Sequence, residues 1–310
     1  MSNKKQIIIT ILFIALLFSG VVITLIRFNL SAIPEPWRLM LWDNLTALSI
    51  TVGLLGIVTY FLKLSLEKPS SSPVTALSII IFTYLIIRPF LNGILNTGYP
   101  AYLDTSIDRL TIRIPMDGKI KVAWGGDKVN QNYHAEYAGQ RWAYDLIVEP
   151  HSHGSQNNED YGCFGKAVLA PISGEVKSLA NDQLDRVPDN EAEDIQNAYG
   201  NYIVIKPDES EHRLIIAHLK QGSVTVKKGQ FIEEGMPIAQ CGNSGNSTEP
   251  HVHIHYVALH EANENLYMTG LPLFFKSKNG PFMPVGGYEK QNGINVPIGD
   301  IIEHKSGTDD

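Results

Sequence analysis

The sequence predicts a mainly β domain preceded by about three transmembrane α-helices. Long uncharged apolar runs are confined to the first hundred residues, and short segments rich in β-branched residues fill the remainder. Clusters of Gly, Asn, Asp, Pro and Ser separate those short segments, a pattern typical of an all-β sandwich or curled sheet. We therefore predict a membrane region at residues 1–98, a β domain at 99–303 and a polar tail at 304–310.

The charge of the chain is divided in the same way. Residues 1–100 carry seven Lys and Arg against three Asp and Glu, a balance of +4, whereas residues 101–310 carry 18 against 29, a balance of −11. The acidic part excludes a typical nucleic-acid-binding protein, because such a protein needs basic side chains to displace phosphate counterions. Hydrophobic residues make up 44% of the chain, which argues against intrinsic disorder.

Three apolar segments are long enough to cross a lipid bilayer as helices. We predict spans at 7–26, 44–62 and 73–92, because about 20 helical residues rise roughly 30 Å. A cleavable signal peptide is the alternative for the first segment. Its apolar run exceeds the usual signal-peptide core, however, and no clear small-residue cleavage site follows it. The sequence thus predicts a multi-pass protein of the cell membrane.

Basic residues between the predicted spans indicate their orientation. Four lysines lie on the side of the N-terminus and three arginines on the opposite side: Lys4, Lys5, Lys63 and Lys68 against Arg27, Arg38 and Arg88. The positive-inside rule then favours a cytoplasmic N-terminus. With three spans, the C-terminal domain is expected to be extracytoplasmic.

The β domain contains many short candidate strands and no long amphipathic helix. The predicted strands are 110–115, 119–124, 144–149, 167–171, 175–179, 201–207, 213–219, 223–227, 230–234, 236–241 and 251–259. Two polar stretches, 152–160 and 180–198, predict surface loops. The second is long for a compact domain, which suggests a functional segment such as a lid.

The strongest chemical signal is the sequence Pro-His-Val-His-Ile-His-Tyr at 250–256. Because side chains alternate between the two faces of a strand, His251, His253 and His255 share one face, and the apolar residues between them point into a core. A single strand histidine is usually an ordinary polar side chain. Three on one face favour a zinc site, since zinc accepts neutral imidazole nitrogens and a strand holds them rigidly.

A catalytic zinc ion needs about three protein ligands and one open position for water, so the strand requires help from elsewhere. His134 and Asp145 are one candidate pair. A carboxylate among the apolar neighbours of Asp145 is costly unless it is paired or binds a metal, and a salt bridge with Arg141 is the alternative. His218 ends an apolar strand, where it could reach a cleft or face solvent.

The other histidines give weaker signals. His151 and His153 form a second His-x-His, but their loop is rich in Gly, Ser and Asn, which favours a solvated loop. His212, His260 and His304 lack any supporting context.

Residues 218–256 resemble the C-terminal signature of the lysostaphin-type (LytM-type) zinc metallopeptidases. The shared features are Ala-His-Leu at the end of an apolar strand, a Gly-punctuated arch from Val224, the loop Gly-Asn-Ser-Gly at 242–245, and the Pro-His-x-His motif. Upstream strands at 170–176 and 200–205 also match, so the resemblance covers roughly residues 120–275. It implies a lysostaphin-type curled antiparallel sheet or β-sandwich.

The resemblance also implies roles for individual residues. His253 would be a zinc ligand, and His218 and His251 would be catalytic histidines. The family's remaining ligands come from a His-x-x-x-Asp motif, from which this chain departs, because ten residues separate His134 from Asp145. An inserted bulge could still bring both to one Zn²⁺ ion. His255 is expected to line the pocket rather than to bind the metal.

The function implied by the resemblance is zinc-dependent hydrolysis of peptide bonds in cell-wall peptidoglycan. The alternative is a catalytically inactive relative that binds the wall or a protein partner, although such relatives usually lose histidines that this chain retains. A lipoyl-type carrier domain shares the glycine spacing of 224–241, but it lacks the exposed lysine at a hairpin tip that carriers require.

Two cysteines are too few for a disulfide scaffold or a thiolate zinc cluster. An extracytoplasmic domain permits a bond between Cys163 and Cys241. Burial of both as small apolar residues is the preferred interpretation.

Overall fold

The structure of the protein is a computed structural model. The structure describes residues 3–35, 37–66, 73–91, 98–103, 108–151, 154–189, 194–262, 265–291 and 293–304. The chain divides into two compact units, Met1–Pro100 and Ala101–Asp310. The predicted tail at 304–310 lies outside the described residues except for His304.

The first unit contains three α-helices: α1 (Asn3–Phe28), α2 (Trp37–Leu66) and α3 (Pro73–Ile87). A short 3₁₀ turn, Arg88–Leu91, follows the third. All three helical segments are long and apolar enough to cross a membrane, which confirms this part of the predicted fold class. Many of their large apolar side chains are exposed, such as Phe18, Phe61 and Ile80, as expected for helices that face lipid.

The three helices pack around Phe82 of α3, which is completely buried. Gly56 of α2 lies under this ring, and a Cβ atom at Gly56 would come within 2.4 Å of ring atoms of Phe82. Gly20 of α1 faces α3 in a similar way, next to Ile81 and Leu85. Small residues at these positions let the helices approach closely, as is common between membrane helices.

The second unit is mainly β. Its strands are β1 (Leu110–Ile112), β2 (Lys119–Trp124), β3 (Tyr144–Ile147), β4 (Ala167–Leu169), β5 (Gly174–Ala180), β6 (Asn201–Pro207), β7 (Arg213–Leu219), β8 (Phe231–Ile232), β9 (Pro237–Gln240), β10 (Val252–Ala262), β11 (Asn265–Leu271), β12 (Leu273–Phe275), β13 (Tyr288–Gln291), β14 (Ile294–Pro297) and β15 (Ile301–Glu303). This architecture confirms the predicted mainly β class.

One nine-stranded antiparallel sheet organises this unit among the described residues. Its strand order is β15-β2-β3-β10-β7-β6-β5-β8, and β11 pairs with β10. The long strand β10 lies between β3 and β7. Its cross-strand partner Asp145 in β3 lies 108 residues before His253 in the sequence. Central position in the sheet gives β10 hydrogen-bonded neighbours on both sides.

The hydrophobic core covers one face of the large sheet. It includes Val252, Ile254 and Tyr256 of β10, and it also takes in residues of the small β4–β9 sheet, such as Val168 and Ile238. Each fully buried aliphatic side chain of this kind contributes about 1.5–3 kcal/mol. The alternation of apolar and polar residues along β10 therefore determines which face of the sheet carries its histidines. If the strand paired one residue out of register, Val252, Ile254 and Tyr256 would leave the core.

One predicted strand is absent. The segment 223–227 forms no strand, although Val226 is buried in the core as the alternating pattern requires. The backbone N–H of Val224 donates to the side-chain oxygen of Asn181, and that of Thr225 donates to the carbonyl of Ile238. The arch formed by residues 223–227 thus follows the alternating pattern of a strand without the continuous backbone pairing of a β-sheet. Strands β11 to β15 were not predicted from the sequence.

The predicted loop at 180–198 is held in place over its described part. Asp185 accepts hydrogen bonds from the backbone N–H groups of Asn243 and Gln221, and the N–H of Arg186 donates to the carbonyl of Asn243. These bonds join the segment to the loop before β10. Residues 190–193 and, in the other predicted loop, 152–153 lie outside the described residues.

Cys163 and Cys241 form a disulfide bond across a sequence separation of 78 residues. The expectation that both would remain unpaired was wrong. Both residues are buried, as expected, but the sheet brings their Cα atoms to 5.7 Å, a separation typical of bonded cysteines. The bond ties the segment before β4 to the residue that precedes the loop 242–245.

Candidate active site

The pairing of β10 with β3 places Asp145 beside His253. These two residues are direct cross-strand partners, and Ala217 of β7 lies opposite His253 on the other side. His218 follows Ala217, so three segments bring polar side chains to the same place. Asp145, His218 and His253 are all buried.

Imidazoles surround the carboxylate of Asp145. Its Oδ2 atom is 2.9 Å from Nε2 of His134, and its Oδ1 atom is 2.8 Å from Nδ1 of His253. Nε2 of His251 lies 3.7 Å from the same Oδ1 atom. Arg141, the alternative partner, instead pairs with Asp127 at 2.9 Å. The buried carboxylate is therefore balanced by histidines and not by a permanent cation.

The electrostatics of this cluster favour an ionised carboxylate on Asp145 and neutral rings on His218 and His253. Burial raises the pKa of Asp145, but the imidazoles of His134 and His251 outweigh that effect and hold the pKa well below its usual range. Burial lowers the pKa of His253 to about 4, against the opposing effect of Asp145. Burial also lowers the pKa of His218 well below its usual range, aided by His251 and His253. Neutral imidazole and ionised carboxylate are the forms that bind metals.

The long spacing between His134 and Asp145 is accommodated by a folded connection. Two short 3₁₀ helices, Tyr133–Glu136 and Ala138–Gln140, turn the chain back toward β3. Asn132 caps the first helix by accepting a hydrogen bond from the N–H of His134, while its amide donates to the carbonyls of Gly126 and Ala143. This arrangement brings His134 to Asp145 despite the ten intervening residues.

His134, Asp145 and His253 form the one group among the described residues whose ligand atoms could hold a metal ion together. The three atoms lie within 4.8 Å of one another. Two imidazole nitrogens and one carboxylate oxygen are a donor set of catalytic zinc sites. The residues present therefore fit a zinc ion. No observation tests the role of each residue, so the ligand set remains a prediction.

His218 has an unusual backbone conformation. Its φ angle is +61°, a region that residues with a Cβ atom rarely adopt and that costs of order 1–3 kcal/mol. The strained residue ends the apolar part of β7 and turns its side chain inward, where Nδ1 is 2.8 Å from the backbone carbonyl of Ser244. Because a carbonyl only accepts, Nδ1 carries the proton and Nε2 keeps a lone pair.

His251 is held in the same tautomer by a different carbonyl. Its Nδ1 atom is 2.7 Å from the carbonyl oxygen of Glu249, and Ser247 Oγ is 3.2 Å away. In a neutral His251 ring the lone pair then lies on Nε2, which is 3.7 Å from Oδ1 of Asp145. The rings of His218 and His251 are 4.7 Å apart between centroids, so two proton acceptors lie next to the predicted metal ligands.

The remaining histidines lie away from this pair of acceptors. His255 is buried behind His253. The cavity at the histidine cluster is lined by His218, His251 and His253 and not by His255, so the expected place of His255 in the pocket wall is not found. His151 pairs with Glu149, His212 with Asp108, and His260 contacts Thr269. His153 lies outside the described residues.

Comparisons with known proteins identify part of the chain. The sequence model of Peptidase family M23 matches residues 156–265. The chain contains a peptidase family M23 domain. His218, His251 and His253 lie within the matched residues, whereas His134 and Asp145 precede them. No curated protein sequence matches the chain.

Solved structures similar to this chain include several peptidases. A zinc-containing peptidase from Vibrio cholerae is 19% identical, with a TM-score of 0.31, and the match covers 51% of this chain and 39% of that one. The catalytic domain of the antimicrobial peptidase lysostaphin from Staphylococcus simulans is 19% identical, with a TM-score of 0.29 and coverage of 48% and 86%. A prophage-encoded M23 protein from Enterococcus faecalis is 14% identical, with a TM-score of 0.28 and coverage of 52% and 87%.

The M23 domain and the strands before it enclose an open cavity of about 340 Å³ at the histidine cluster. Aromatic side chains form one wall: Trp124 lies 5.2 Å from Tyr133 and 4.8 Å from Tyr288 between ring centroids. A second depression of about 660 Å³ shares Trp124, Tyr288 and Glu249 and extends the cleft. These aromatic residues were not predicted from the sequence, because they come from three separate segments and share no motif.

The loop 242–245 supplies the carbonyl that orients His218, and Gly245 is essential to its shape. Gly245 has a φ of +78°, and a Cβ atom there would come within 2.3 Å of the backbone nitrogen of Gly200. Oγ of Ser244 accepts from the N–H of Asn201 and donates to the carbonyl of Leu219. The close contact with Gly200 thus keeps the loop against β6 and β7.

We predict that Gly245→Ala destabilises the protein more than Gly222→Ala does. Gly222 has a similar φ of +71°, but a Cβ atom there meets nothing within 4 Å. Gly222→Ala should therefore cost only the left-handed backbone penalty of roughly 1–2 kcal/mol, whereas Gly245→Ala adds a backbone clash. Unfolding of the full chain in detergent measures both. Equal unfolding midpoints for the two variants would show that the close contact has no structural importance.

Proposed function

We propose that this protein is a membrane-anchored zinc endopeptidase that cleaves peptide bonds of cell-wall peptidoglycan. The observation that carries the proposal is the convergence of His134, Asp145 and His253 on one point, beside the Nε2 atoms of His218 and His251. The M23 match supports a peptidase, and the open, aromatic-lined cleft suits an extended chain as substrate.

His134, Asp145 and His253 would hold the metal. When bound there, zinc would acidify a water molecule and polarise the scissile carbonyl. The net charge of these three ligands supports that role, because two neutral imidazoles and one carboxylate neutralise only one of the two positive charges of a divalent cation. The burial of all three side chains keeps competing solvent away from the ligand atoms.

His251 is the best candidate for the general base. Its Nε2 lone pair faces the carboxylate of Asp145 at 3.7 Å, so it lies next to the place where the attacking water must sit. The carbonyl of Glu249 fixes the proton on Nδ1, which leaves Nε2 free to take a proton from water and return it to the leaving amine. Such proton transfer typically contributes about 10²–10⁴-fold to the rate.

His218 would orient the attacking water. Its Nε2 atom carries a lone pair, because Nδ1 donates to Ser244, and burial keeps the pKa of the ring low. A neutral ring in this tautomer accepts a hydrogen bond from water but has no proton to donate to an oxyanion. The tautomer inferred from the contact with Ser244 therefore favours orientation of the attacking water over stabilisation of an oxyanion.

We predict that His251→Ala abolishes hydrolysis but keeps the metal, whereas His253→Ala loses both. Purified peptidoglycan is incubated with the full chain and zinc, and the release of new amino groups and the bound zinc are measured. The loss in His251→Ala should be about 10²-fold or more. His212→Ala is the control, because His212 pairs with Asp108 outside the cleft. Zinc binding without hydrolysis by the unmodified protein would favour the alternative, an inactive wall-binding relative.

The membrane topology is also a proposal: the peptidase unit lies outside the cytoplasmic membrane, where its substrate is. Three apolar helices precede it, and the Cys163–Cys241 disulfide supports this location, since such bonds persist in oxidising compartments. Tethering to the membrane would raise the local concentration of the enzyme near the wall.

Protease digestion of oriented vesicles tests this topology. Trypsin added outside should degrade residues 101–310 in right-side-out vesicles and leave them intact in inverted vesicles, because only the first preparation exposes the external face. The opposite pattern would place the domain in the cytoplasm and contradict the proposed substrate.

A further inference from the structure

His255, which follows His253 along β10, has no part in the reaction proposed above. His255 is buried, yet it contacts a predicted metal ligand directly: its Nδ1 atom is 2.9 Å from Nε2 of His253. Its other nitrogen, Nε2, is 3.4 Å from the hydroxyl of Tyr199. His253, His255 and Tyr199 thus form a line of polar contacts that leads away from Asp145.

The two nitrogens of His253 face different partners. Nδ1 lies 2.8 Å from Oδ1 of Asp145, on the side of the predicted metal, and Nε2 faces His255. A neutral imidazole carries a single proton. If Nδ1 gives its lone pair to a metal, the proton must sit on Nε2, where it needs an acceptor, because an unsatisfied buried donor is costly.

His255 provides that acceptor. When its Nδ1 atom accepts from His253, its own proton sits on Nε2 and points to the oxygen of Tyr199. His253 and His255 then both carry their proton on Nε2, and each proton points to an acceptor. In the competing tautomer, the proton of His253 would sit on Nδ1 and donate to Asp145, and the lone pair needed by a metal would be lost.

We propose that His255 is a positioning residue that holds His253 in the tautomer and orientation required to bind the metal. The inference rests on the proposed zinc site. Metal-binding histidines commonly donate their second ring N–H to a partner of this kind, and loss of the partner typically lowers metal affinity. His255 itself is not a ligand in this arrangement, because both of its nitrogens face other groups.

The competing explanation is that His255 only fills space behind His253. The two explanations predict different outcomes for an isosteric pair of variants. Asparagine and leucine have the same branching and similar size, but only asparagine places a hydrogen-bond acceptor near the position of Nδ1. A space-filling role makes the two variants equivalent, whereas a positioning role separates them.

The test measures zinc affinity of the full chain in detergent by competition with a chromophoric chelator. His255→Leu should bind zinc about 10- to 100-fold more weakly than the unmodified protein, and His255→Asn should retain most of the affinity. The absorption spectrum of the cobalt-substituted protein should change in His255→Leu and remain close to the original in His255→Asn. Equal zinc affinities for the two variants would overturn the proposal.

Two controls keep the result interpretable. Thermal unfolding of the metal-free proteins shows whether His255→Leu folds. If it does not, His255→Gln replaces it, because the longer glutamine side chain carries its amide past the Nδ1 position and should also weaken zinc binding relative to His255→Asn. Failure of the unmodified protein to bind zinc would contradict the proposed function itself, whereas normal binding in every variant would contradict only the role of His255.

Discussion

The carboxylate of Asp145 is the group on which the arrangement of the site depends. A buried charge without a partner is expensive, and the fold meets this requirement with imidazoles from two separate segments, His134 and His253, at 2.9 and 2.8 Å. The same groups that compensate the carboxylate form a donor set for a divalent cation. The contacts that stabilise the buried carboxylate of Asp145 are therefore the same contacts that bring the candidate metal ligands together.

Backbone carbonyls determine which ring nitrogen of each histidine proposed as catalytic, His218 and His251, carries the proton. Ser244 orients His218 and Glu249 orients His251. Both carbonyls belong to the segment between β9 and β10, which approaches β6 closely at Gly245 and is tied to Asp185. The disulfide at Cys241 lies at the start of this segment. The close contact at Gly245, the hydrogen bonds of Asp185 and the disulfide thus help to position the carbonyls that hold the ring protons of His218 and His251.

Much of this site was predictable from the sequence, for a definite reason. Alternation along a strand is a local property, so the shared face of His251, His253 and His255 could be read directly. The unusual polarity of Asp145 within an apolar strand was equally visible. Strands β10 and β3 pair so that His253 lies opposite Asp145. This register follows from burial of the apolar face of both strands.

Other features depend on the path of the chain through space and left no local signal. The fold of the connection between His134 and Asp145 relies on hydrogen bonds of Asn132 to Gly126 and Ala143. Pairing of Cys163 with Cys241 depends on a distance across the sheet, and the aromatic wall combines residues from distant segments. The alternation at 223–227 was misleading, because an arch can bury alternate side chains without pairing as a strand.

The most direct test of the account is X-ray absorption spectroscopy at the zinc edge on the zinc-loaded full chain, compared with His134→Ala and His212→Ala. The account predicts nitrogen and oxygen ligands that include the imidazoles of His134 and His253. One imidazole contribution should disappear in His134→Ala and none in His212→Ala. A ligand set that is unchanged in His134→Ala, or that contains sulfur, would contradict the central claim.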